Sequence, residues 1–252
     1  MVTVADDSSP PPVAGGGPRR GHLLSSLPIN GRLQLLRLLH IASPALPIGA
    51  FHFSQGMEHA VEAGWITDEA TALQWIGGLA EGTFERLDLP LLSRLHDAWS
   101  QGNMRSVRSW NALLIAMRET SESRAEDLHM GAALAKVLND LDLPSLPVDL
   151  QGESLAYATV FGRACAYWGI PPVDTLQACA WAWAETQVLA AIKLVPLGQR
   201  SGQRILHALI PVLAAGVDRA LALADEDIGI RGVMQAFASA RHETQYTRLF
   251  RS

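Results

Sequence analysis

The chain has 252 residues, 48% of them hydrophobic and 18% charged, with a formal net charge of −5. This is enough apolar material for a substantial core, which excludes wholesale disorder, and the acidic balance excludes a nucleic-acid footprint. Two cysteines without CxxC spacing, Cys165 and Cys179, suit a reducing compartment. Asp6 and Asp7 with no apolar stretch after them argue against a signal peptide. No apolar run approaches the roughly 20 residues that cross a bilayer. A soluble, cytoplasmic protein with no membrane partner is expected.

Residues 1–30 carry Pro10-Pro11-Pro12, Gly15-Gly16-Gly17 and several serines, which predicts a disordered arm. From Arg32 the leucines are dense (Leu33, Leu35, Leu36, Leu38, Leu39), predicting a first helix that is largely covered. Helix stops at Ser43-Pro44, where a rigid turn begins through Pro47 and Gly49; glycine there permits a backbone angle that a side chain forbids. Phe51 and Phe53 flank His52 in a loop this apolar only if it is packed or partnered. A short helix follows from about Ser54 to Gly64. Asp68 reads as the N-cap of a helix with Leu73, Ile76, Leu79 and Phe84 on one side, and its glycines 77, 78 and 82 would let a neighbour approach closely. Asp88 and Pro90 restart the pattern with Leu91, Leu92, Leu95 and Trp99. Val107, Trp110, Leu114 and Met117 continue it. Residues 119–127 are a solvated helix face or a break before a helix over 128–138.

Residues 141–152 hold two prolines and read as an internal linker. Residues 155–168 are helical in composition and end at Gly169. Residues 173–195 are apolar almost all round, the pattern of a central buried helix that Pro196 terminates. Ser201 begins a last long helix that Pro211 should kink or split. Strand patterning is nearly absent, so the expectation is an all-α, single-domain helical bundle over 31–224. The tail from 225 to 252 ends in arginines with Tyr246 and Phe250. It is too polar to bury alone and is expected to be mobile and partner-binding.

No Walker loop or GxGxxG supports nucleotide binding. The eight histidines show no HxH, HxxxH or HExxH spacing, and surface or core roles fit them better than metal ligation. Glu185, Gln187 and Lys193 interrupt the buried helix. Each either makes one internal hydrogen bond or belongs to a partner-facing patch, and Lys193 has a stem long enough to reach the surface. Residues 196–204, with Arg200 and Arg204, form an anion-holding turn or, more simply, a helix connection. Nothing supplies a nucleophile with its base and orienting group.

Three stretches carry a resemblance: 43–58 (SPALPIGAFHFSQGME), 190–204 (AAIKLVPLGQRSGQR) and 242–252 (HETQYTRLFRS). In order and separation they resemble the signature blocks of the urease accessory protein UreF family, and the likeness spans about residues 31–252. It implies an all-α homodimer that is not itself an enzyme and has no cofactor. Such proteins bridge the accessory protein UreD (also UreH) and the GTPase UreG to apo-urease, in which nickel and a carbamylated lysine are then installed. Partner contacts are implied at Pro47, Gly49, Phe51, Ser54, Gln55, Glu58, Lys193, Arg204, Glu243, Gln245, Tyr246 and Arg248. Lys193 and Arg248 belong to the GTPase side, and the C-terminal segment orders against UreD/UreH. Two alternatives are an activating-protein-like regulator of the GTPase and a nickel-binding chaperone.

Overall fold

In the computed structural model, which describes residues 29–251 apart from 142 and 230–232, the chain is one all-α body with no strand among the described residues. The Pro/Gly-rich arm lies outside the described residues, except that 29 and 30 open the first helix, α1 (Ile29–Ile41). A 3-10 turn, Ala50–His52, leads to the short α2 (Met57–Glu62). The helix α3 (Glu69–Leu79) starts where expected: the Asp68 carboxylate accepts from Thr71 N–H at 2.8 Å and the Thr71 hydroxyl returns the bond, a complete capping box. No restart occurs at Asp88. A π-helical stretch, Ala80–Asp88, carries α3 directly into α4 (Leu89–Ser100), and Pro90 fits because it falls in the first turn of α4.

Next come α5 (Met104–Ala116), capped by Asn103, and α6 (Ser121–Asp140), capped by Thr120. Residues 119–127 therefore hold the break and the first turns of α6, with Glu126 and Asp127 buried. Then follow α7 (Tyr157–Tyr167), α8 (Pro172–Leu194), α9 (Gln199–Ala222) and α10 (Val233–His242). The core forms mainly where α4 packs on α7 and α8 on α9, around Leu91, Leu92, Leu95, Phe161, Leu176 and Leu209, all essentially inaccessible. Burying each such side chain is worth about 1.5–3 kcal/mol.

Four expectations are corrected. The leucines of α1 do not cover it: Ile41 is buried, but Leu33, Leu35, Leu36 and Leu39 are exposed, because only one side of the helix meets the body. Likewise α8 is central but not enclosed, with Trp181 and Leu189 exposed. Gly77 and Gly78 face no neighbour; close approaches are at Gly131 of α6, where a Cβ would collide with the backbone at Leu155 and Ala156, and at Gly202, where it would fall 2.4 Å from Ile192 Cδ1. Finally, α9 is by length and composition apolar enough to cross a bilayer. It stays one helix through Pro211, and its Ile205, Leu209, Leu213 and Val217 stripe packs into the core.

Candidate functional site

Block 43–58 reaches its position through buried Leu46, Ile48 and Phe53, with exposed Pro47 between the first two. Gly49 takes φ +77°, and a Cβ there would come within 3.3 Å of His129 Nε2. Gln55 also lies at positive φ, 54°, which is uncommon for a residue with a side chain. Its amide is tied at both ends: Nε2 donates to Glu126 Oε1 at 2.8 Å, and Trp183 Nε1 donates to Gln55 Oε1 at 3.0 Å. Trp183 in turn stacks on Phe84, 4.6 Å between centroids. The Ser54 hydroxyl, fully buried, accepts from Glu58 N–H at the start of α2. These contacts fix the loop so that Phe51 stands out from it, 49% exposed.

The tail does not hang free. The polar terminus that cannot bury itself alone is given partners by charged groups on the body. The buried Glu58 carboxylate accepts the backbone N–H of Leu249 at 2.6 Å and of Phe250 at 2.9 Å. His242, with no exposed surface, sits between two carboxylates, its Nε2 3.1 Å from Glu58 and its Nδ1 2.8 Å from Glu122. Arg248 reaches the other oxygen of Glu122 at 2.6 Å. The Glu243 carboxylate occupies the N-terminus of α6, accepting from Ser121 N–H, the Ser121 hydroxyl and Glu122 N–H. The Ser121 hydroxyl first, and then these amides, hold its pKa below the ordinary carboxylate range. Gly56, at φ +83°, is what lets α10 approach: a Cβ would stand 2.9 Å from Ser239 N. Arg251 N–H donates to His52 O at 2.8 Å, closing the tail against the loop.

The three sequence blocks meet at Lys193, near the end of α8. Its ammonium lies 5.6 Å from the Phe51 ring centroid and 5.7 Å from that of Phe250, a cation between two aromatic faces. Phe250 is buried beneath it, whereas Tyr246 and Leu249 point outward. Gln245 lies within the tail, its amide donating to Thr247 O. Arg204 is not brought in: its guanidinium is paired with Glu69 at the start of α3.

Beneath the loop lies a cavity of about 130 Å³ whose lining includes Gln55, Trp183 and Gln187. At its edge Arg118 is bound between Asp88 at 2.5 Å and Asp127 at 2.9 Å. Burial alone would lower the Arg118 pKa, but the Asp127 and Asp88 charges overcome it and the net shift is upward. Burial raises the Asp88 pKa despite Arg118. Sequence reading missed this triad and the Glu58–His242–Glu122 chain. The only signal was that Arg118, Glu122, Asp127 and His242 are polar residues beside apolar helical patterns. Burial pushes the Cys165 thiol up to about 12, so it is inert in this setting. Among the described residues, no group of three or more His, Cys, Asp or Glu side chains is gathered in a way that would hold a metal ion.

The sequence profile of the UreF family matches residues 66–210. The chain is 44% identical to the urease accessory protein UreF of Chromohalobacter salexigens, over 87% of this chain and 95% of that protein. It is 45% identical to the protein of the same name from Azoarcus sp., over 91% of this chain and all of the other. With that from Alkalilimnicola ehrlichii it shares 44% identity over 90% of this chain and all of the other.

Proposed function

The chain belongs to the UreF family of urease accessory proteins, and from that premise we propose that it is a non-catalytic, cytoplasmic adaptor that acts as a homodimer. It bridges UreD/UreH and the GTPase UreG to apo-urease during assembly of the nickel centre. The observation that carries this reading is the meeting of Phe51, Lys193 and Phe250 in one patch. Aromatic side chains around a cation, ringed by polar contacts, are what protein interfaces use as anchors. Lys193 faces the GTPase, as does Arg248 on the tail, which is held by Glu122. The exposed Tyr246, and the exposed Leu249 held in place by its backbone bond to Glu58, face UreD/UreH. The other family-implied positions, Pro47, Gly49, Ser54, Gln55, Glu58, Glu243 and Gln245, shape this surface more than they cover it. The exposed Trp181 and Leu189 on α8 give a second apolar face suited to a homodimer contact.

A second reading, an activating-protein-like regulator, requires an arginine delivered to the nucleotide. Arg248 and Arg204 are the candidates. Each is held by a carboxylate, Glu122 and Glu69 respectively, which favours the scaffold. GTP hydrolysis by UreG with and without this chain decides between them, and equilibrium dialysis with nickel tests the chaperone alternative. The primary test is size-exclusion with light scattering on the chain alone and mixed with UreD/UreH and UreG. A dimer that takes up both partners is expected, with Lys193→Ala losing UreG and keeping its melting temperature. A chain that takes up neither partner overturns the adaptor reading.

A further inference from the structure

The surface described above leaves a large apolar feature on α1 unused. Gln34 and Arg37 fix how α1 faces: Gln34 Nε2 donates to Gly169 O at 2.6 Å, and the Arg37 guanidinium lies 5.4 Å from the Trp168 ring centroid. With Ile41 they form the body-facing side. The opposite side presents Leu35, Leu36 and Leu39, exposed by 47%, 64% and 59%, next to the exposed Arg32. Three outward leucines at i, i+1 and i+4 make a continuous apolar stripe of a little over one turn, which a folded protein does not usually leave facing water.

Charge says what would cover it. Between residues 8 and 57 the chain has four arginines, Arg19, Arg20, Arg32 and Arg37, and no acidic residue, although the whole chain is net acidic. Two α1 helices from two copies would bring Arg32 to Arg32 if packed parallel, and if packed antiparallel would place two arginines around one contact with no carboxylate on α1 to offset them. The preceding segment, basic in the same way, would set Arg19 and Arg20 against Arg32. Like charges around a closing apolar contact disfavour both. A lipid surface fits poorly, because the stripe is short and lacks the aromatic anchors of interfacial helices.

We propose that the outer face of α1 is a docking surface for an acidic, leucine-accepting helix or groove on a partner protein, separate from the Phe51–Lys193–Phe250 patch. The leucines supply the hold and the exposed Arg32 beside them the steering and orientation. The choice of partners to test rests on the adaptor reading.

The test uses the full chain and its Leu36→Glu and Arg32→Glu variants, titrated separately with purified UreD/UreH, UreG and apo-urease. Both side chains are exposed, so each variant should keep the wild-type melting temperature. The proposal expects one partner to bind more than tenfold more weakly to Leu36→Glu. The same partner should bind severalfold more weakly to Arg32→Glu and lose affinity for the wild-type chain as salt is raised. Lys193→Ala should leave that affinity unchanged when the partner is UreD/UreH or apo-urease, and should add its own loss to that of Leu36→Glu when it is UreG, which separates failure of this inference from failure of the adaptor reading. Unchanged affinity for all three partners overturns the proposal. So does loss of self-association in Leu36→Glu, which would make the occupant a second copy. Leu36-dependent capture by phosphatidylglycerol vesicles would make it lipid and likewise overturn it.

Discussion

Replacing Glu58 by glutamine isolates the contact that seats the tail. Glu58 accepts two consecutive backbone N–H groups, from Leu249 and Phe250, and faces His242 through one of the same oxygens. A carboxamide preserves the shape and one acceptor, but its NH₂ must face a donor. At least one charge-assisted bond is lost and one buried N–H is left without an acceptor, a cost of about 2–4 kcal/mol. The remaining hold is of similar size. Burial of Phe250 is worth roughly 1.5–3 kcal/mol, and the Lys193 contact about 0.5–2 kcal/mol. The pair with the partly exposed Arg248 adds at most about 1 kcal/mol. Glu58→Gln should therefore lower hydrogen-exchange protection of the Leu249 and Phe250 amides by about 30- to 700-fold, since each 1.4 kcal/mol is tenfold. The melting temperature should change by only a few degrees, because the leucine core is untouched. Unchanged protection at 249–250 would refute the role assigned to Glu58. A loss of melting temperature as large as that of a core cavity would show that Glu58 holds the body rather than the tail.

Other outcomes follow from neighbouring contacts. Arg118→Ala leaves the Asp88 and Asp127 carboxylates in a buried site without their counter-charge. It should cost about 3–5 kcal/mol, or roughly 6–20 °C in melting temperature for a chain of this size, checked by calorimetry. Gly56→Ala strains a positive-φ position and drives a methyl toward Ser239 N, so exchange should accelerate across 233–251 while 89–100 stays protected. Glu243 has a depressed pKa. Its contribution is therefore fully present above the unfolded-state carboxylate pKa and disappears as the pH falls through the lowered value. Tail seating should hold from neutral pH to about 5 and weaken below about 4, with Glu243→Ala removing part of that acid response in pepsin-cleavage rates.

The helices were legible in the sequence because they depend on local signals: the Asp68 cap, the leucine periods of α4 and the proline that ends α8. What was not legible depended on which side of each helix the rest of the chain covers. The density of leucine in α1 predicts burial, yet burial requires a facing surface, and the body offers one to Gln34, Arg37, Leu38 and Ile41 but not to the other leucines. The site shows the same division. Lys193, Glu58 and the tail stood out as blocks, since each joins apolar and charged residues in an unusual order. Their meeting did not, because a cation placed between Phe51 and Phe250 joins positions almost 200 residues apart. His242 looked ordinary for a related reason. Its partners, Glu58 and Glu122, lie on two other helices, and no spacing within one segment encodes such a set.

The seated tail also makes the order of assembly testable. Removing residues from Glu243 onward deletes Phe250 and all of the exposed anchor residues, so UreD/UreH binding should be lost whichever tail conformation the partner recognises. The core should survive, because Phe250 is the only large apolar side chain that the deletion takes from it; retained binding would remove the tail from the partner surface. Glu58→Gln separates what the deletion cannot. If UreD/UreH recognises the tail as seated here, its apparent affinity is the intrinsic one multiplied by the fraction seated. The variant then binds more weakly, by up to the factor seen in exchange once the seated state is the minor one. If the partner first pulls the tail off the body, the Glu58 contacts oppose binding, and the same substitution strengthens it. The sign of that change, measured by calorimetry on otherwise identical chains, assigns the recognised conformation. Because Leu249 points outward from a backbone already fixed by Glu58, weaker binding is the expected sign.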